Sequence, residues 1–133
     1  MLNRPPPTTE AEVQYPDTDL DVSPAPPAKE EIIAAIRSLK NGKSPGQDNL
    51  NAELFKAEPE LAAQVLQPLF STIWEEKQLP DGWTEGVIVK IPKKGALSNC
   101  NNWRGITLLS VPSKILAKLI IRRISEVVDQ QLR

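Results

Sequence analysis

An α+β chain, mostly helical with one β-hairpin, is what the sequence predicts, and three observations carry that prediction. Apolar residues recur at helical spacing over three stretches, 29–40, 59–77 and 110–128. Val87, Ile88, Val89 and Ile91 form a β-branched run that is followed, after a polar loop, by a second apolar run from Ile106 to Leu109. Seven of the 13 prolines fall within the first 28 residues, where a backbone of fixed φ and without amide donors builds neither helix nor sheet.

Residues 1–28 therefore read as a Pro-rich, acidic linker, with Pro24-Ala25-Pro26-Pro27 marking the boundary to residues 29–133. The linker carries Arg4 against Glu10, Glu12, Asp17, Asp19 and Asp21, a net charge of −4, and the remainder carries 15 cations against 12 carboxylates, or +3. A formal charge of −1 thus conceals an acidic tail on a mildly basic body. Asp17, Asp19 and Asp21 have the spacing that opens a calcium loop. Val22 and Ala28 stand where the loop needs its Gly and its bidentate Glu, so the segment reads as solvated linker.

Helix 29–40 places Ile32, Ile33, Ile36 and Leu39 on one face and ends at Asn41-Gly42, residues that tolerate a left-handed cap. Gly42-Lys43-Ser44 looks like the end of a phosphate-binding P-loop, but Arg37 replaces the required first Gly and a helix replaces the required strand. The turn that follows is expected to be held by Asp48 capping the next helix. Helix 59–77 would bury Leu61, Val65, Leu66, Leu69, Phe70, Ile73 and Trp74, with Pro68 expected to kink or split it. Trp83, after the Leu79-Pro80-Asp81-Gly82 turn, reads as a packed anchor.

The strand 86–91 ends at Pro92, and the polar segment to Asn102 is a loop whose tip carries Lys93 and Lys94. The returning arm begins Trp103-Arg104. Ser110 and Pro112 open the last helix, whose stripe comprises Ile115, Leu116, Leu119, Ile120, Ile124, Val127 and Val128. Lys114, Lys118 and Arg122, spaced by four, run along one edge with Arg123 beside them. From Gly86 to Ser125 there are eight cations and no carboxylate, a polarity suited to phosphate. A charge run on a helix is ordinarily its solvated face, and both readings of this edge stand at this level.

Several activities are excluded or disfavoured by composition. The chain has no histidine, which removes His-based catalysis and His metal sites, and its one cysteine, Cys100, has no accompanying base and allows no internal disulfide. No stretch is apolar for the roughly 20 residues of a membrane span, and no cationic start precedes an apolar run, so the expectation is an intracellular chain without a membrane partner.

The order IPKKG, NNWRGITLL, a Lys shortly after, then a helix with RRI resembles the first blocks of the reverse transcriptase domain of LINE-type non-LTR retrotransposons. NGKSPGQDNLNAELFK resembles the block before them, and QLPDGWTEGVIVKIPKKG the run into the hairpin; the resemblance covers residues 29–133. It implies a short helix over 51–57 and makes the hairpin part of the fingers of a right-hand polymerase fold. It also implies that Arg104 and Lys93, with Lys94 an alternative to Lys93, contact an incoming deoxynucleoside triphosphate. Lys94, Lys114, Lys118 and Arg122 are the implied contacts to nucleic acid. Gln47 and Asn49 depart from the family's commoner Pro-Gly-Pro-Asp-Gly.

In that family the metal-binding aspartates lie downstream in the palm, and the partners are an RNA template, a DNA primer and magnesium. After Gly86 this chain has only Glu126 and Asp129 as acids, which do not match those aspartates. The resemblance thus implies the N-terminal and fingers fragment of an RNA-directed DNA polymerase, with no catalytic residue or cofactor of its own. The helix still running near Arg133 fits a truncated chain. The alternatives are a non-catalytic nucleic-acid-binding protein derived from a retroelement, or a decayed fragment.

Overall fold

The computed structural model describes residues 19–96 and 98–133. The first eighteen residues of the expected linker, Asp17 among them, lie outside the described residues. The described elements are α1 (Lys29–Arg37), α2 (Ala52–Ala57), α3 (Pro59–Glu76), β1 (Val87–Pro92), a 3-10 turn (Cys100–Asn102), β2 (Trp103–Leu108) and α4 (Val111–Leu132). Helices and one two-stranded antiparallel sheet make the α+β arrangement that the sequence predicts.

The core is helical, and the shortest of its three main helices holds it together. Residue α1 positions Ile32 and Ile36 are fully buried between Phe70 of α3 and Ile115 and Leu119 of α4. Each such side chain contributes about 1.5–3 kcal/mol by leaving water. α1 packs on both α3 and α4. It stops at Arg37, three residues before the expected end, where the Ser38 hydroxyl donates to the Ala35 carbonyl at 2.7 Å and draws the chain out of the helix. Leu39 still turns into the core, and the Lys56 ammonium donates to its carbonyl at 2.7 Å.

α3 departs from the sequence reading in two ways. It runs unbroken past Pro68, because Pro68 and Gln64, whose carbonyl loses its partner, both lie on the exposed side where water replaces the missing bond. Its buried face is Ala63, Leu66, Phe70 and Ile73, whereas Leu61 (55% exposed), Val65 (68%) and Leu69 face outward. Apolar residues cover too much of the helix circumference for one neighbour to bury, so spacing alone could not say which half would be covered.

The linker boundary also differs from the sequence reading. Pro27 is fully buried, the Trp74 indole N–H donates to the Pro24 carbonyl at 2.8 Å, and Arg123 donates to the carbonyls of Ser23, Ala25 and Pro26. Residues 23–27 are thus a strap across the helices rather than free linker. Proline leaves its carbonyls unpaired along the chain, and here side chains from α3 and α4 satisfy them.

β1 and β2 pair from Val87↔Leu108 to Pro92↔Trp103. Pro92 belongs to the ladder instead of lying beyond it. The next pair is bonded, Lys93 N–H to Asn102 O at 2.5 Å, so at Pro92 the missing amide would have pointed outward. Both faces of the ribbon are largely open, with Ile88 70% exposed. Its base is fastened instead. Trp83 meets Phe70 edge to face at 6.3 Å, as expected of a packed anchor, and a Cβ on Gly86 would collide with the Thr107 methyl.

Candidate nucleotide and nucleic-acid interface

The hairpin positions its cations through register. Ile91 pairs with Arg104, and the Lys93–Asn102 bond continues the same ladder, so alternation sets Lys93 and Arg104 on one face of the ribbon as diagonal neighbours. Such neighbours lie about 7–8 Å apart, within reach of a shared ligand for side chains this long. Lys90 and Trp103 take the opposite face. Lys94 follows in the tip. Lys93, Lys94 and Arg104 are exposed, and among the described residues none of them is ion-paired.

The tip itself is a braced loop. The Asn99 side chain accepts from the Asn101 N–H at 3.0 Å, and the Asn102 side-chain amide donates to the Ala96 carbonyl at 2.7 Å. Gly95 has a φ of +127°, and a Cβ there would lie 2.8 Å from the Asn102 amide nitrogen, so only glycine closes this turn. The Lys-Lys-Gly and Asn-Asn-Trp-Arg segments are therefore one unit: the asparagines hold the turn, and the turn presents the cations. Cys100 is exposed beside them.

The basic edge of α4 divides into three environments. Lys114 and Lys118 line a cleft of about 280 Å³ together with Lys40, Lys43 and Ser44. Arg122 donates to Glu126 at 3.2 Å on the open surface, both side chains more than half exposed. Arg123 turns inward and is 11% exposed, paired with Glu31 at 2.6 Å and stacked 5.3 Å from the Trp74 ring centroid. The sequence reading set Arg123 on the solvent edge. One residue of helical rotation, about 100°, carries it instead toward α1 and the strap. The Arg123 hydrogen bond holds the Glu31 carboxyl below its ordinary range, and Glu31 in turn raises the Arg123 guanidinium.

The sequence reading gave no binding role to Lys40, at the end of the first helix, or to Lys43, which it placed in the Lys-Ser-Pro-Gly turn. The turn that places them is welded to the start of α4. Gly46 is buried, and a Cβ on it would lie 2.8 Å from the Leu109 carbonyl carbon and the Ser110 nitrogen. The Lys-Ser-Pro-Gly string carries that signal, since close backbone contact requires glycine. Asp48 does not cap α2: it accepts from the Leu50 N–H at 3.1 Å, and Asn51 begins the helix without a side-chain bond. Glu53 accepts from the Gly42 N–H at 2.6 Å, which lowers its carboxyl and pins the same turn. Ser110 opens α4 as expected, its hydroxyl oxygen accepting from the Ser113 N–H.

Among the described residues no three His, Cys, Asp or Glu side chains converge as a metal ion would require. Of the acids of α4, Glu126 is paired with Arg122. No described helix is long and apolar enough to cross a membrane.

A braced hairpin carrying Lys93, Lys94 and Arg104 and a lysine-lined cleft on the helical body are the candidate sites of this α+β chain. Comparison with known proteins makes the assignment specific. No protein-family model matches the chain. The chain is 34% identical over 118 residues to the "Probable RNA-directed DNA polymerase from transposon BS" of Drosophila melanogaster, covering 86% of this chain and 13% of that protein. It is 32% identical over 101 residues to the "Transposon TX1 uncharacterized 149 kDa protein" of Xenopus laevis, covering 76% of this chain and 8% of that protein. It is 29% identical over 96 residues to the "RNA-directed DNA polymerase from mobile element jockey" of Drosophila melanogaster, covering 71% and 10%. The chain is thus related to the proteins of LINE-type non-LTR retrotransposons, as its motifs indicated, and it spans about a tenth of the length of these relatives.

Proposed function

We propose that residues 29–133 are the N-terminal and fingers portion of an RNA-directed DNA polymerase, preceded by the acidic segment 1–28. In this reading the hairpin takes the triphosphate of an incoming deoxynucleotide: Arg104 supplies a planar fork for phosphate oxygens and Lys93 a point charge beside it. Lys94, Lys114, Lys118 and Arg122 face template and primer. The observation that carries the reading is the register that sets Lys93 and Arg104 on one face of a projecting, braced hairpin. Magnesium accompanies the triphosphate in the complete enzyme, and the described residues of this chain are not the ones that hold it. A hydrogen bond to a charged group contributes about 1.5–3 kcal/mol, so Arg104→Ala should weaken binding of a deoxynucleoside triphosphate roughly 10- to 100-fold. Lys93→Ala should weaken it less, having lost one charge and no fork. Titration of a fluorescent triphosphate into the chain tests this; unchanged affinity in the double variant would remove the hairpin from the site.

A further inference from the structure

We propose that the cleft between the end of α1, the Lys43–Gly46 turn and the start of α4 binds the phosphate backbone of a single nucleic-acid strand. The proposal rests on the polymerase reading above and goes beyond it by replacing a helix edge with a discrete site. Its charged walls come from two stretches far apart in sequence, Lys40, Lys43 and Ser44 after α1 and Lys114 and Lys118 on α4, over an apolar floor at Val111. Four lysines line one cleft with no carboxylate residue in its lining. Among the described residues none of the four is ion-paired. The acids nearby in sequence are engaged elsewhere: Asp48 accepts from the Leu50 N–H and Glu53 from the Gly42 N–H.

Like charges held together repel, and nothing in the packing of the core requires them to meet here. Gly46 nonetheless locks the turn against Leu109 and Ser110, which fixes Lys43 beside Lys114. An anion resolves the repulsion. The cleft, at about 280 Å³, is ample for a phosphodiester. Lysines are point charges without the planar fork that orients a ligand, so recognition here is independent of sequence. Arg122 lies one turn further along α4, engaged with Glu126 and outside the lining.

The test is binding of the full chain to fluorescein-labelled oligouridylate across a salt series. Each phosphate contact on a single strand contributes about 0.7 to the slope of log affinity against log salt. A Lys40→Gln, Lys43→Gln variant should therefore lose about 1.4 in slope. Lys114→Gln, Lys118→Gln should lose a similar amount, and Arg37→Gln, at an exposed cation outside the lining, should keep the wild-type slope. Lys40→Arg, Lys43→Arg, which preserves charge, should restore it, separating phosphate contact from damage to the fold. Wild-type slope in the Lys40, Lys43 glutamine variant would overturn the cleft while leaving the α4 edge standing. Inorganic triphosphate that displaces the RNA from wild type at micromolar concentration would overturn the strand as occupant in favour of a free polyphosphate. The Lys93→Ala, Arg104→Ala variant should bind RNA with the wild-type slope, so failure at the hairpin and failure at the cleft give different results.

Discussion

Arg122 and Arg123 are neighbours in sequence with opposite fates. Arg122 meets Glu126 in solvent, where an i,i+4 pair contributes only about 0.3–0.5 kcal/mol. Arg123 gathers Glu31 and three strap carbonyls around one guanidinium over Trp74, tying α1, α3, α4 and residues 23–26 together. This node makes stability depend on acid in a definite direction. The Arg123 hydrogen bond lowers Glu31 below its ordinary value of 4.5; burial, the next largest effect, opposes it, and the Ala28 N–H adds to the lowering. A carboxyl depressed in the folded state adds stability that is complete above its unfolded pKa and is lost as pH falls through the folded one. Chemical unfolding should therefore show a loss of stability below about pH 4.5 that Glu31→Gln reduces, leaving the share of Glu53, at the cost of lower stability near neutrality. An unaltered acid limb in that variant would place the titration elsewhere.

α3 is the element where a local rule and its context conflict. Pro68 sits in the interior of an 18-residue helix, and its cost is limited because the unpaired Gln64 carbonyl is exposed. Pro68→Ala restores that hydrogen bond and should stabilise the chain by about 2 kcal/mol, less the unfolded-state entropy that proline removes. Urea midpoints of the two proteins measure it; a lower midpoint for Pro68→Ala would mean that the ring supports packing. The hairpin poses the reverse case. Its strands bury little, yet Asn99, Asn102 and Gly95 brace the tip and Trp83 anchors the base. Binding energy at such a tip is not spent on ordering it.

At the scale of the molecule, α1 is covered on both sides while the outer face of α3 and the distal half of α4 expose Leu61, Val65, Ile121 and Ile124. Cations collect on the hairpin and in the cleft, and the described carboxylates do not converge. If residues 29–133 are the fingers portion proposed above, the purified chain with primer, template, deoxynucleotides and magnesium should extend no primer, and a metal-dependent extension product would refute that assignment. Much of this was legible beforehand. Periodicity located α1, α3 and α4, β-branching located the hairpin, and Lys-Lys-Gly with Trp-Arg located its cations, since each depends on residues close in sequence. By itself the sequence determined the order and type of the elements, the polarity of the hairpin and the relationship to retrotransposon proteins, all properties of local pattern. The tertiary structure alone decided which half of α3 is buried, that residues 23–27 are a strap, that Arg123 points inward, and that Lys40 and Lys43 meet Lys114 and Lys118. Those facts depend on contacts between residues 50 to 100 positions apart, such as Trp74 with Pro24 and Arg123 with Ser23, and the rotation of a helix about its axis is set by its neighbours.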